Sequence, residues 1–279
     1  MVNVIKANGE NQKFQKSKIF GSVLKAGAPR TEAKKLVSSI QKRVHEGTPT
    51  KKILKMCLNG LQKDPFARAR YNLKQAIMKL GPQGFAFEEF FSQVLRNYGY
   101  TTTTNALLKG KAISQEVDIL AKKDKTYMIE MKYHNKAGIT TDTKVAMYTH
   151  ARFLDITNRN KIDASWLVTN TKCTSQAIKY AKSVGLKITT WDYPKTSRRN
   201  KNDKETNLNL REIIQRKSLY PITVFKSVTG KVRESLLKEK IVLAIDLIEH
   251  KPEELASRTG LDLKIVEKVL EEAKEIYKK

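Results

Sequence analysis

Gln115-Glu116-Val117-Asp118-Ile119-Leu120, the charged run Lys122-Lys123-Asp124-Lys125, and Thr126-Tyr127-Met128-Ile129-Glu130-Met131-Lys132-Tyr133-His134 together form the stretch that decides the fold. Both arms are rich in Val, Ile, Met and Tyr, and the middle is polar and turn-forming, which is the pattern of a β-hairpin. Side chains alternate across a strand. Met128, Glu130 and Lys132 therefore share one side of the second arm, with Tyr127, Ile129, Met131 and Tyr133 on the other. On the first arm Glu116 and Asp118 share a face, while Val117 and Ile119 point opposite. The acidic side of one arm then meets Glu130 and Lys132 on its neighbour.

Two carboxylates and a lysine on one sheet surface suit chemistry on a phosphate. Asp118 and Glu130 are hard oxygen ligands for a shared Mg²⁺, or Mn²⁺ in its place, with the Met131 carbonyl as a third ligand. Such an ion lowers the pKa of a bound water and neutralises charge building on phosphate oxygens. Lys132 is placed to orient that water or to stabilise the developing negative charge. The same residues also suit a solvated hairpin whose cross-strand ion pairs contribute roughly a few tenths of a kcal/mol each. The surrounding chain decides between the two.

Upstream, Phe87, Phe91, Val94, Leu95 and Tyr98 form one helical stripe with Glu88 beside it, and Gly99 is a stop signal. Thr101 to Thr104 are β-prone. Downstream, 142–156 is helical in pattern, 165–169 a strand, 175–183 a helix and 186–191 a strand. Strands alternating with helices predict a mixed α/β sheet covered on both faces. This order of parts over residues 82–194, a Phe-Glu helix, an Asp strand, Glu-x-Lys on the next strand and a late strand ending Val168-Thr169-Asn170, resembles the restriction-endonuclease-like (PD-(D/E)XK) fold in its Mrr-type branch. The resemblance implies that Asp118 and Glu130 bind metal, that Lys132 is the catalytic lysine, and that Glu88 faces the site. Val117 stands where many members have proline. The glutamine that many Mrr-type members place beside the lysine motif is not found.

The front of the chain is organised differently. Val2, Val4 and Ile5 lead to the turn dipeptide Asn8-Gly9, and Phe14 marks a return arm. Four helical patterns follow: from Ser17 to Gly27, from Thr31 to Glu46, from Thr50 as a cap through Leu61, and from Pro65 to Gly81. A hairpin followed by helices, with Val4-Ile5-Lys6-Ala7-Asn8-Gly9 in front and Lys18-Ile19 on the first helix, resembles the ATP-cone over residues 2–80. That resemblance implies an ATP or dATP effector at Lys6, Thr50 and the run Gln12, Lys13, Phe14, Gln15, Lys16, Ser17 and Lys18. The lysines supply cationic partners, and a helix N-terminus favours anions. The family's Lys-Arg-Asp-Gly is here Lys6-Ala7-Asn8-Gly9, so a phosphate-binding arginine is missing. No Gly-x-x-x-x-Gly-Lys-Ser/Thr loop is present, which favours sensing over hydrolysis of the nucleotide.

Residues 195–207 lack apolar periodicity and read as a linker. Beyond it, 208–279 is expected to be helical. A helix is suggested at 208–214, another restarts at Tyr220, and the tail from Val232 is broken at Arg258-Thr259-Gly260-Leu261, resembling a helix-hairpin-helix unit.

Charge points to the partner. The chain carries a net +26, of which residues 1–80 hold 18 basic against 4 acidic side chains, while 231–279 balance 11 against 11. Such a field attracts polyanions, and DNA is the expected partner. Cys57 and Cys173 lack metal-ligand spacing and His45, His134, His150 and His250 are scattered, so neither set suggests zinc. No apolar run is long enough to span a bilayer, and reduced thiols fit a cytoplasmic protein. The expectation is a multidomain α and α/β chain: 1–80 nucleotide-binding, 82–194 nuclease, 195–207 linker and 208–279 helical, able to form a homodimer or higher oligomer. It would act as a metal-dependent DNA endonuclease of restriction or repair type. A nucleotide-responsive DNA-binding regulator without enzymatic activity, and a nuclease specific for junctions or repair intermediates, remain the alternatives.

Overall fold

Charged Lys122 to Lys125 cannot be buried in a sheet interior, and the apolar arms around them cannot stay in water, so the chain reverses there. The computed structural model describes residues 2–6, 8–81, 84–136, 138–195 and 204–278. In front of the hairpin, strands β1 (Asn3–Ile5) and β2 (Asn11–Lys13) pair antiparallel, and β3 (Thr48–Pro49) joins β1 in parallel. Helices α1 (Lys16–Ala26), α2 (Arg30–Gln41), α3 (Thr50–Gly60) and α4 (Pro65–Met78) pack on this small sheet. Gly27 ends α1 at φ 106°, a left-handed conformation that glycine adopts without a Cβ penalty. Asp64 caps α4, its carboxylate accepting from the Ala67 amide at 2.9 Å. Thr50 is the first helical residue of α3 rather than its cap. Pro49 occupies the cap position, fixed there by its pairing in β3.

The central body runs α5 (Phe85–Asn97), β4 (Thr101–Lys109), β5 (Ser114–Lys122), β6 (Thr126–Lys132), β7 (Thr140–Thr141), α6 (Thr143–Thr157), β8 (Ala164–Thr169), β9 (Lys172–Cys173), α7 (Ser175–Ser183) and β10 (Lys187–Thr189). Five strands form one sheet in the order β10-β8-β6-β5-β4. β5 runs antiparallel to both of its neighbours, β4 and β6, and β6, β8 and β10 are parallel. Trp166 and Val168 of β8 face the core under α5, while Leu167 packs with Ala146 of α6 and Ala177 of α7. The sheet is thus mixed and covered on both faces.

Alternation along β5 is not uniform. Ile119 packs with Ile129 in the α5 core, but Val117 packs with Met128 and Ile156 on the α6 side. Across the ladder, Thr104 opposes Ile119 and Ala106 opposes Val117, so Asn105 stands beside Asp118, and its φ is 53°. A left-handed residue in the neighbouring strand turns the sheet locally. Val117 and Ile119 therefore do not share a face, contrary to simple alternation.

The C-terminal part, α8 (Leu210–Arg216), α9 (Gly230–Lys238), α10 (Pro252–Thr259) and α11 (Leu263–Tyr277), joins the same core as α5. Tyr98 Oη donates to the Ile213 carbonyl at 2.7 Å, and Thr223 Oγ1 to the Ala76 carbonyl at 2.7 Å. The expected tail helix is interrupted twice, since Lys240 turns the chain at φ 58° well before Gly260 does at φ 64°. The segment after Tyr220 is only a 3₁₀ turn, Ile222–Val224, held by a bridge from Pro221 to Leu243. Of the expected linker, residues 196–203 lie outside the described residues. Its end is no exposed connector: Glu205–Asn207 is a 3₁₀ turn with Glu205 buried, accepting from Lys123 Nζ at 3.4 Å. Neutralisation by Lys123 lets that carboxylate lie inside. α4 serves two cores, Ala67 the front one and Leu73, Ala76 and Ile77 the central one.

Candidate active site

β5 and β6 part at the end remote from their turn, and there the backbone of one strand is free to meet side chains of the other. Asp118 Oδ2 accepts from the Met131 amide at 2.6 Å. This fixes the Asp118 carboxylate against the residue whose carbonyl is the expected third metal ligand. Burial raises the Asp118 carboxyl, opposed by that hydrogen bond and by the field of Arg152. Glu130 is pushed up to about 7, first by burial and then by the charge of Asp118, against Arg152 and Lys132. Glu88, on the first turns of α5, is also pushed up to about 7 by burial and then by Asp118, Glu130 and Glu116. The three acids predicted from sequence are brought close enough to repel one another. Lys132 lies exposed on the rim of a cleft lined by Gly84, Met131, Tyr133 and His134.

Sequence reasoning missed Arg152. Its Nη1 donates to Glu130 Oε2, and both side chains are almost buried, 9% and 14% exposed. Its guanidinium stacks 5.3 Å over the Tyr148 ring, and its Nε has no partner among the described residues. A signal was available. Ala146, Thr149 and Ile156 mark the buried stripe of α6, and Arg152 falls on that stripe, where a charge requires a counter-charge.

Among the described residues, no group of three or more His, Cys, Asp or Glu side chains is arranged to hold a metal. The donor set offered by the chain is therefore two carboxylates, Asp118 and Glu130, with the Met131 carbonyl. Glu88 joins them through its field and not as a gathered ligand. That set fits a hard dication: its oxygens are the right chemistry, and burial, the main cause of the raised carboxyls, makes their negative charge one that a cation would offset.

In the front domain, Gln12, Lys13, Phe14, Gln15, Lys18 and Thr50 line one cavity of about 220 Å³ with Val4 and Tyr71. Lys6, Lys16 and Ser17 are not in its lining. Lys6 instead pairs with Glu10 across the hairpin turn at 2.8 Å; Ala7, between Lys6 and Asn8, lies outside the described residues. No helix of the described residues is long and apolar enough to cross a membrane.

Comparison with known proteins agrees with the central geometry. Residues 81–198 match the family model described as restriction endonuclease, and residues 220–277 match that described as AF1548-like, C-terminal. An uncharacterized protein of Archaeoglobus fulgidus is 36% identical over 186 residues, spanning 66% of this chain and 98% of the relative. The crystal structure of the protein of unknown function AF1548 superposes with a TM-score of 0.59 at 33% identity, covering 70% of this chain and 98% of that one. Both family models leave residues 1–80 outside their matches. With a relative this similar matched over nearly its whole length, and Asp118, Glu130 and Lys132 inside the matched segment 81–198, the chain belongs to the AF1548-like family and carries a restriction-endonuclease-like domain.

Proposed function

We propose that this chain is a Mg²⁺-dependent DNA endonuclease whose activity is modulated by ATP or dATP at the front domain. The observation that carries the nuclease is the set of desolvated, mutually repelling acids Asp118, Glu130 and Glu88 beside Lys132, inside a restriction-endonuclease-like domain. Asp118 and Glu130, with the Met131 carbonyl, would hold the ion, which supplies charge neutralisation at the scissile phosphate and an acidified water. The chain's own residues do the rest. The Met131 amide orients the Asp118 carboxylate, and Arg152 holds Glu130 through one oxygen. Lys132 steers the water toward phosphorus and stabilises charge as the new P–O bond forms and the bond to the leaving sugar oxygen breaks. Glu88, on α5, supports the site through its field on the two ligand carboxylates. The basic surface of residues 1–80 and of the central body tracks the DNA backbone.

A specific observation supports the nucleotide: six of the nine side chains assigned to it line one cavity, with Lys13 and Lys18 among them. At about 220 Å³ the cavity is smaller than most small-molecule sites, which run from roughly 300 Å³, so binding would open it. That opening is the means by which a nucleotide changes the conformational balance, since a ligand shifts only equilibria whose states it binds unequally. The deciding assay incubates plasmid DNA with the protein, with and without Mg²⁺ and ATP. Nicking or linearisation that depends on Mg²⁺ and changes several-fold with ATP is expected. Intact plasmid under every condition removes the nuclease and leaves the DNA-binding regulator.

A further inference from the structure

Beside the candidate active site, α5, β4 and α9 enclose a cavity of about 710 Å³. Its size is that of a small-molecule site, typically roughly 300–1,000 Å³. The walls are apolar, from Leu80, Ala86, Leu237 and Val242, and the Phe85 ring stands at the mouth, 64% exposed. A phenylalanine so exposed at the start of a helix has no packing role to explain it. Arg233, Lys238 and Lys240 contribute positive charge. Arg233 reaches the Lys79 carbonyl at 3.1 Å and Glu234 at 3.4 Å, but its Nε is buried without a partner, and Lys238 and Lys240 form no ion pair among the described residues. The three acids on the wall are engaged or shared: Glu234 pairs with Arg233, Glu89 accepts from Gln93 at 2.9 Å, and Glu88 stands between this cavity and the field of Asp118 and Glu130.

Two backbone features single out the same place. Asn105 and Lys240 both line the cavity, and both are non-glycine residues held at positive φ, 53° and 58°. Left-handed residues of this kind carry a conformational cost and gather where function requires them. Asn105 also lies between Thr104 and Ala106, whose partners Ile119 and Val117 flank Asp118, and Glu88 both lines the cavity and feels the charge of Asp118 and Glu130. A strand with its phosphate on Asp118 and Glu130 would carry its adjoining nucleotide past Glu88 to the mouth of this cavity. The occupant that matches is a flat, aromatic, hydrogen-bonding group on an anionic backbone. A base inside a duplex is stacked on its neighbours and cannot enter, whereas an unpaired or extruded one can.

Resting on the nuclease assignment above, we propose that this cavity receives an unpaired nucleobase next to the scissile phosphate, stacked on Phe85, with its phosphate held by Arg233, Lys238 and Lys240. The substrate class is DNA carrying an extruded nucleotide, such as a bulge, rather than uniform duplex. No chemistry beyond phosphodiester hydrolysis is involved. The cavity selects which phosphate reaches the carboxylates.

The test uses the full chain and three otherwise identical duplexes: fully paired, with a single 2-aminopurine bulge, and with a single abasic bulge. Binding is measured in EDTA, and cutting in Mg²⁺. The aminopurine bulge should bind roughly ten-fold tighter than the paired duplex, the range set by stacking of one base on an aromatic side chain. The abasic bulge should lose that gain, and emission from the aminopurine should rise as it leaves the DNA stack. Phe85→Ala, at an exposed position that leaves the fold intact, should erase the preference and the emission change together. Equal binding and equal cutting of all three DNAs overturns the cavity proposal while leaving the nuclease standing. Retention of the full preference by Phe85→Ala overturns it as well. Base-dependent binding with no cutting of any DNA supports the cavity and removes the nuclease instead.

Discussion

At the parted ends of β5 and β6, acids are crowded into a half-dry cleft, and two of them are raised to about 7. In the front cavity between β2, α1 and α3, the charged groups are Lys13 and Lys18, with no carboxylate in the lining. One region has negative charge that burial makes costly and that Arg152 and Lys132 only partly offset. The other has positive charge beside the start of α1, whose first turn holds no acid. Each charge set suits a ligand of opposite sign, which under the proposed function is a hard cation at the sheet and an anion at the front. The contrast also separates chemistry from recognition. Burial and like-charge crowding raise the energy of the carboxylates in a way that a bound ion relieves, whereas solvated lysines contribute affinity and salt sensitivity.

The largest effect that would break this contrast is at the carboxylates. Asp118→Ala should lower cleavage by about 10³-fold, the scale of removing one group that stabilises the transition state, while DNA binding and ATP binding stay near the parent's. Cleavage at the parent's rate would show that the acids are incidental. Next, DNA affinity should fall steeply with salt, by about 10²-fold or more between 50 and 200 mM, because each phosphate contact releases counterions. A flat dependence in a gel-shift or anisotropy titration would mean that the +26 charge is solvated and uninvolved.

A smaller effect probes the front. Lys13→Ala should weaken ATP binding by about ten-fold, the loss of one charge-assisted hydrogen bond, and leave nucleotide-free cutting unchanged. Calorimetry on both proteins tests the first part and the plasmid assay the second. Unchanged ATP affinity would detach the cavity from nucleotide binding.

The smallest effect sharpens the burial argument. Glu88 has a carboxyl pKa raised above its ordinary 4.5 to about 7, so the folded state holds that proton more tightly than the unfolded chain. Below the unfolded value both states are protonated and the group costs nothing. Above about 7 both are ionised and the full cost of the charge is present. Glu88→Gln should therefore raise Tm by about 2–4 °C at pH 8, or about 1 kcal/mol after allowing for solvent screening, and by nothing at pH 4. An equal rise at both pH values would show that the gain comes from packing and not from charge.

Much of this was legible from residues alone. The helix over 85–97 followed from the Phe87/Phe91/Val94 stripe, and the hairpin from the charged run between apolar arms. The placing of Asp118 and Glu130 on neighbouring strands followed from the hairpin, whereas Glu88 entered only through the family resemblance. What escaped was set by contacts distant in sequence. Arg152 becomes meaningful only when α6 is laid against β6. The burial of Glu205 depends on Lys123, 82 residues earlier. Alternation failed at Val117 because the neighbouring strand, through Asn105, dictates the local twist. The third front strand, Thr48–Pro49, is too short to leave a pattern of its own.

α4 has a further consequence. Its first turns belong to the front core through Ala67, and its later turns to the central core through Leu73 and Ile77. Fourteen residues at about 1.5 Å each make a rod of about 21 Å, seated at both ends. A chain shortened to begin at Gly81 would lose one wall of its main core, and the Thr223 hydroxyl would lose the Ala76 carbonyl it is bonded to. One helix thus closes two cores, and a cut placed inside it would bare apolar surface on both sides of the break.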